Sequence, residues 1–190
     1  MRYPSHRGSF AKLFVRRTFF AAACLQLIVL ASSYVLAGDP PAISTNSIPE
    51  LGQSEVEMWR LINRDRLTAE SVQETKGRAR PLIWDMRLAA VARKHSEEMA
   101  SAGFFGHQGI DGSLPQLRLS RARIRWKAMG ENVARFSEIE QAEAAFMDEP
   151  KFQHNHRGNI LDTNFTHVGV GIARGPDGFL YITQEFADLR

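Results

Sequence analysis

With 190 residues, 44% of them hydrophobic, one cysteine and a formal net charge of +3, the chain is long enough for a domain with its own core and too poor in cysteine for a disulfide-stapled scaffold. Five of its 24 Lys and Arg residues precede residue 38 and all 21 acidic residues follow it, so the rest carries 19 basic against 21 acidic side chains, a net of −2. That balance leaves no electrostatic footprint for nucleic acid.

Arg2, Arg7, Lys12, Arg16 and Arg17 stand before an almost wholly apolar run from Thr18 to Ala37, which closes on Val35-Leu36-Ala37 ahead of Gly38-Asp39-Pro40. Basic, apolar, then small is the order of a secretion signal, and the expected cut falls after Ala37, giving a signal peptide of 1–37 and a secreted or periplasmic protein. The alternative is an uncleaved leader anchoring the protein in a membrane, since ~20 apolar residues suffice for a spanning helix. Arg16-Arg17 also fits a twin-arginine signal. Cys24 follows the arginines too closely for a lipoprotein leader, so cleavage leaves a chain with neither disulfide nor thiol nucleophile. Residues 38–49, rich in Pro, Ser, Thr and Asn, read as a flexible linker, and the domain is expected over 50–190.

Within the domain, Ser54 and Glu57 form a capping-box pattern ahead of Val56, Trp59 and Ile62, which predicts a helix reaching about Leu67. Thr68 to Arg80 is polar and reads as a connection. Asp85 caps a second helix with Leu88, Ala89, Ala92, Met99 and Ala100 on one face, and Gly103 ends it. Ser113 to Ala122 suggests a short helix. Ile124, Trp126 and Ala128 alternate as a strand does, with a loop expected after them. Ser137 with Glu140 predicts another capped helix, from Ile139 to about Asp148, stopped by Pro150. His167 to Ile172 and Phe179 to Ile182 are strand-like runs joined through Gly175-Pro176-Asp177-Gly178, a hairpin. Helices first and strands later, with enough helices for both sheet faces, predict an α+β layered domain.

The chain after the leader has five histidines, His95, His107, His154, His156 and His167. It has no His-Glu-x-x-His, no Gly-x-Ser-x-Gly and no phosphate-binding glycine loop. Three segments stand in order: Phe104-Phe105-Gly106-His107, Gly130-Glu131-Asn132 and His156-Arg157-Gly158-Asn159-Ile160-Leu161. Ile62-Asn63-x-x-Arg66, Pro81-Leu82, Ala92-x-x-His95-Ser96-x-x-Met99, Val168-Gly169-Val170-Gly171 and Tyr181 to Phe186 flank them. Together these resemble a bacterial CAP domain (SCP-like, of the superfamily of cysteine-rich secretory proteins, antigen 5 and pathogenesis-related proteins) from about Ser54 to Phe186.

The resemblance implies a three-layer α-β-α sandwich with a central antiparallel sheet, and a cleft lined by two histidines and two acids. Matched residue by residue, these are His107, His156, Glu131 and Glu149, the expected metal site. Relatives often carry Trp-x-x-Ser-Pro-x-His-Arg where this chain has Phe146-Met147-Asp148-Glu149-Pro150 and a longer approach to His156. Asp148 therefore stands as an alternative to Glu149, and His154 to His156.

Two imidazoles with nearby carboxylates suit a weakly held, exchangeable divalent ion, zinc (Zn2+) first, magnesium or calcium less so. Three readings follow. One is an extracellular binding module for a small, lipid-like or cell-envelope ligand. Another is a metal-dependent hydrolase with Glu131 or Glu149 as general base. The last is a purely structural tetrad of two His-Glu pairs. Of the remaining polar residues, Asn132 reads as a turn or cap residue, Arg157 as the partner of an acid or helix end, and His95 and His167 as structural. Arg118, Arg121, Arg123 and Arg125 read as a solvated face, and Trp59, Trp84 and Trp126 as core.

Overall fold

The computed structural model describes residues 52–189; the predicted leader with Cys24, the linker and the first residues of the predicted domain lie outside the described residues. The elements follow in the order α1 (Gln53–Arg66), α2 (Ala69–Thr75), β1 (Ile83–Trp84), α3 (Met86–Ala102), α4 (Pro115–Arg121), β2 (Trp126–Phe136), α5 (Ile139–Met147), α6 (His156–Leu161), β3 (His167–Arg174) and β4 (Leu180–Leu189). The strands make one sheet in the order β1-β3-β4-β2. It is antiparallel except where two-residue β1 joins β3 in parallel. Gly178, at a φ of 84°, turns the predicted β3–β4 hairpin.

Alternation along β4 sorts the layers. Ile182 and Phe186 look toward α1, α5 and α6, where Met58, Ile62, Phe146 and Ile160 complete the larger core. Tyr181 and Ala187 look the other way, toward Met99 and Leu88 of α3 and Leu119 of α4. Helices thus cover both faces, and the three-layer α-β-α sandwich is the fold of this chain. The glycines of Val168-Gly169-Val170-Gly171 explain how closely α3 lies on β3: a Cβ on Gly169 would come within 2.0 Å of the Ala89 nitrogen, and one on Gly171 within 2.0 Å of the Arg93 nitrogen. The intervening Val168 and Val170 enter the larger core.

Across that core, fully buried Arg66 ties distant segments together. Its guanidinium donates to the carbonyls of Arg80 at 2.6 Å, Ile160 at 2.5 Å and Asp162 at 3.0 Å. Burial pulls its pKa down to about 10.

Several expectations are corrected. Helix α1 begins at Gln53 with Gly52 as N-cap, so Ser54 lies inside it and Glu57 pairs with Arg60 instead of closing a capping box. Helix α5 is capped at Glu138 without a side-chain bond, because Ser137 Oγ turns to Gln141. The polar segment after α1 contains α2, capped by Thr68 Oγ1 accepting from the Ser71 N–H; it has no apolar stripe and buries Ser71 and Thr75 instead. The strand begun at Trp126 continues to Phe136, so Gly130-Glu131-Asn132 lies within a strand and not in a loop. Helix α6 and the two-residue β1 are too short for periodicity to reveal. Asp85 caps α3 as predicted, accepting from the N–H groups of Arg87 and Leu88.

Candidate functional site

One edge strand of the sheet, β2, runs along a cleft of about 490 Å³ whose lining includes His107, Val133, Phe146, Glu149 and His156. His107 reaches it from the loop after α3, and His156 from the first turn of α6. Each imidazole is tied through Nδ1 to a carboxylate: His107 to Glu131 Oε1 at 2.8 Å, and His156 to Glu149 Oε1 at 2.6 Å. A carboxylate is the acceptor in such a pair, so Nδ1 carries a proton, and in the neutral ring Nε2 keeps its lone pair.

The His107 side is held by buried groups. His95, fully buried on α3, donates from Nε2 to the Gly106 carbonyl at 2.9 Å, which fixes the backbone just before His107. Burial lowers the basicity of His95 and so favours the neutral ring, while the carbonyl acceptor places its proton on Nε2. Arg118 of α4 grips the same loop, donating to the His107 carbonyl at 2.9 Å and the Ser113 carbonyl at 3.0 Å, and its other nitrogen meets Glu131 Oε2. Glu131 is buried, with 2% of its side chain exposed against 49% for His107. Burial opposes its ionisation, but the hydrogen bond from His107, contact with Glu185 and the charge of Arg118 hold it below the usual carboxylate range. Glu185, directly across the ladder on β4, is fully buried and pushed well above that range, first by burial and then by the facing Glu131 charge.

The His156 side is built on a helix start and a polar network. Asn155 caps α6 by accepting from the Gly158 N–H at 2.8 Å. Glu149 accepts from the His156 N–H at 2.8 Å as well as from its ring. The His156 ring lies against Phe146, centroids 4.6 Å apart. Its carbonyl accepts from Asn132 at 3.1 Å, and Asn132 is bonded in turn to Gln184 at 2.9 Å and Asn159 at 2.8 Å. Asn132 is thus a buried bridge between β2, β4 and α6, not a turn or cap residue. Arg157 pairs with Glu70 and Glu74 of α2 and bonds the Met147 carbonyl.

The four residues matched from sequence form two His-carboxylate pairs, of which His107, His156 and Glu149 line the cleft and Glu131 lies buried against His107. Glu149 is the acid that bonds His156, while Asp148 caps the end of α5. His154 is exposed, and His167 bonds its neighbour Thr166. Of the arginine run, Arg118 is buried in the site while Arg121, Arg123 and Arg125 are exposed. Sequence reading missed the roles of Arg118, Asn132 and Glu185, and it read His95 as structural without its hold on the loop. Glu185 lies beyond the predicted strand Phe179 to Ile182, in the part of β4 that the apolar pattern did not reach.

No group of three or more His, Cys, Asp or Glu side chains among the described residues is arranged to hold a metal ion. What is available is the pair of Nε2 lone pairs. Carboxylates on the far nitrogens are the usual partners of ligating imidazoles, which they orient and make more basic. The cleft thus presents two imidazoles, each with a carboxylate on its Nδ1 side.

Known proteins resemble this chain in sequence and in fold. The uncharacterized protein YkwD of Bacillus subtilis (strain 168) is 33% identical over 117 residues, which are 61% of this chain and 43% of that one. An extracellular protein containing a SCP domain from Bacillus anthracis str. Ames superposes with a TM-score of 0.58 at 26% identity, over 71% of this chain and 40% of that chain. An outer surface protein from Borrelia burgdorferi superposes with a TM-score of 0.60 at 16% identity, over 73% of this chain and 95% of that chain, a likeness of fold. This chain thus spans about two fifths of the two Bacillus relatives. A model of the cysteine-rich secretory protein family, CAP, matches residues 59–186, and the chain belongs to that family.

Proposed function

We propose that this CAP domain is exported and acts as a binding module, its cleft taking a small or lipid-like ligand and a divalent metal ion, zinc before others, between His107 and His156. One observation supports this above the rest: both imidazoles have Nδ1 committed to a carboxylate and both line the same cleft. In this reading Glu131 and Glu149 act on the metal through the histidines. Two imidazoles hold the ion loosely and leave it open to a ligand. Export draws support from the leader-like N-terminus. No helix among the described residues is long and apolar enough to cross a membrane.

The hydrolase reading has one point in its favour. Glu149, with 28% of its side chain exposed, has access to solvent that buried Glu131 lacks, and so is the better placed general base.

The test is a calorimetric zinc titration of the purified protein beside His107→Ala and His156→Ala, at pH 7.5 and 5.5. Binding that is lost in each variant and weaker at the lower pH, where protons compete for imidazole, is expected. Zinc binding equally strong in both variants refutes the metal site.

A further inference from the structure

The outer edge of β2 carries its own hydrogen-bonding pattern. Asn159 of α6 donates to the Glu131 carbonyl at 3.3 Å, a partner outside the ladder to β4, which agrees with backbone groups of Glu131 that point off the sheet. Backbone direction reverses with each residue of a strand, so Val133 and Arg135 turn their N–H and C=O groups outward too.

The opposite side of the sheet gives the same parity. The Val168 carbonyl accepts from the Asp85 N–H and the Ile172 N–H meets Glu55, both away from β4, so Gly169 and Gly171 face β4. In β4, Thr183 and Glu185 then face β3, while Ile182 and Gln184 face Ala134 and Asn132. Apart from the strand ladder, no backbone group of another element bonds the backbone of Val133 or Arg135 among the described residues.

These outward groups stand where the cleft is. Val133 to Phe136 line it, together with Phe105, which is 54% exposed, on the His107 loop and with Ala145 and Phe146 on α5. Donor and acceptor repeated at every second residue are complemented by one chemistry, the main chain of an extended peptide. A lipid tail offers nothing to them.

We propose that the cleft binds an extended peptide of about four to five residues as a fifth strand beside β2, hydrogen-bonded through its main chain to Val133 and Arg135. Its side chains alternate between the His107 loop on one face of the sheet and Phe146 on the other. The proposal rests on the cleft being the ligand site and names the class of ligand.

The probe is a phage library of linear dodecapeptides, panned on the purified protein expressed from the full sequence. A selected peptide is then made in two forms, N-methylated at odd or at even positions. One form is expected to bind like the parent and the other at least about tenfold more weakly, the worth of one or two hydrogen bonds. Arg135→Pro removes the outward N–H without touching the ladder to β4 and is expected to lose a similar factor. Arg135→Ala, which loses the same side chain, is expected to stay within about threefold of the wild type.

Equal binding of the two methylated forms, equal binding to the Pro and Ala variants, or no peptide retained overturns the proposal. If Arg135→Pro does not fold, the methylated pair decides. Zinc binding without peptide binding sinks the strand-addition proposal alone. Failure of both sinks the reading of the cleft as a ligand site.

Discussion

Arg118 holds two parts of the site at once, the carbonyl of His107 and the carboxylate to which the His107 ring is tied. Its side chain is 8% exposed and that of Glu131 2%, so neither charge can turn to water if the other is removed. Arg118→Ala is therefore expected to lower stability by about 3–5 kcal/mol, the usual result of leaving one member of a buried pair behind. Urea unfolding measures it, and Arg118→Ala combined with Glu131→Gln should recover part of the loss. A single variant as stable as the wild type would show that the pair contributes little. In the sequence Arg118 is one of four arginines in close succession, and nothing local separates it from Arg121, Arg123 and Arg125. Its role depends on Glu131, which only the fold brings to it.

At the scale of elements, contact between α3 and β3 depends on two hydrogens where other residues have a methyl. Gly171→Ala would place a Cβ 2.0 Å from a helix backbone nitrogen, which no rotamer change can relieve. The expected result is a loss of several kcal/mol, at the severe end for a single substitution, or failure to accumulate folded protein. Circular dichroism melting checks it, and a melting temperature within a few degrees of the wild type would show that helix and strand can separate cheaply. Such glycines also show which elements a sequence discloses. Helices α1, α3 and α5 and the terminal hairpin carry an apolar period or a turn signature. Helix α2 and the middle of β2 do not, since one is polar almost throughout and the other places Gly130, Glu131 and Asn132 at its centre. Those segments are held by long-range polar partners, Arg157 for α2 and Gln184 with Arg118 for β2. Family resemblance implies the four site residues; residue pattern alone reaches only a layered α+β domain.

At the scale of the whole molecule, pH acts through groups far from solvent. Glu143 on α5 is fully buried, accepts from Gln184 at 2.8 Å and is pushed up to about 8, first by burial. Its folded value lies above its ordinary 4.5, so between these values the native state binds more protons than the unfolded chain. This contribution to stability is greatest at low pH and is lost as pH rises toward about 8, with a slope of up to about 1.4 kcal/mol per pH unit. Glu143→Gln removes the slope. Urea midpoints between pH 5 and 9 should therefore fall less steeply in the variant, and identical profiles would exclude Glu143 as the source. Arg66 has a consequence of a different kind. Its three carbonyl partners lie 14, 94 and 96 residues away along the chain, so one cation bridges the first helix, the segment before β1 and the end of α6. None of these segments can come loose without exposing a charge site or stranding it in a dry interior, so the three open together. The clamp makes α1, the segment before β1 and the end of α6 a single cooperative unit, and the wall of the cleft that carries His156 inherits the firmness of that unit and not the fraying expected of a six-residue helix.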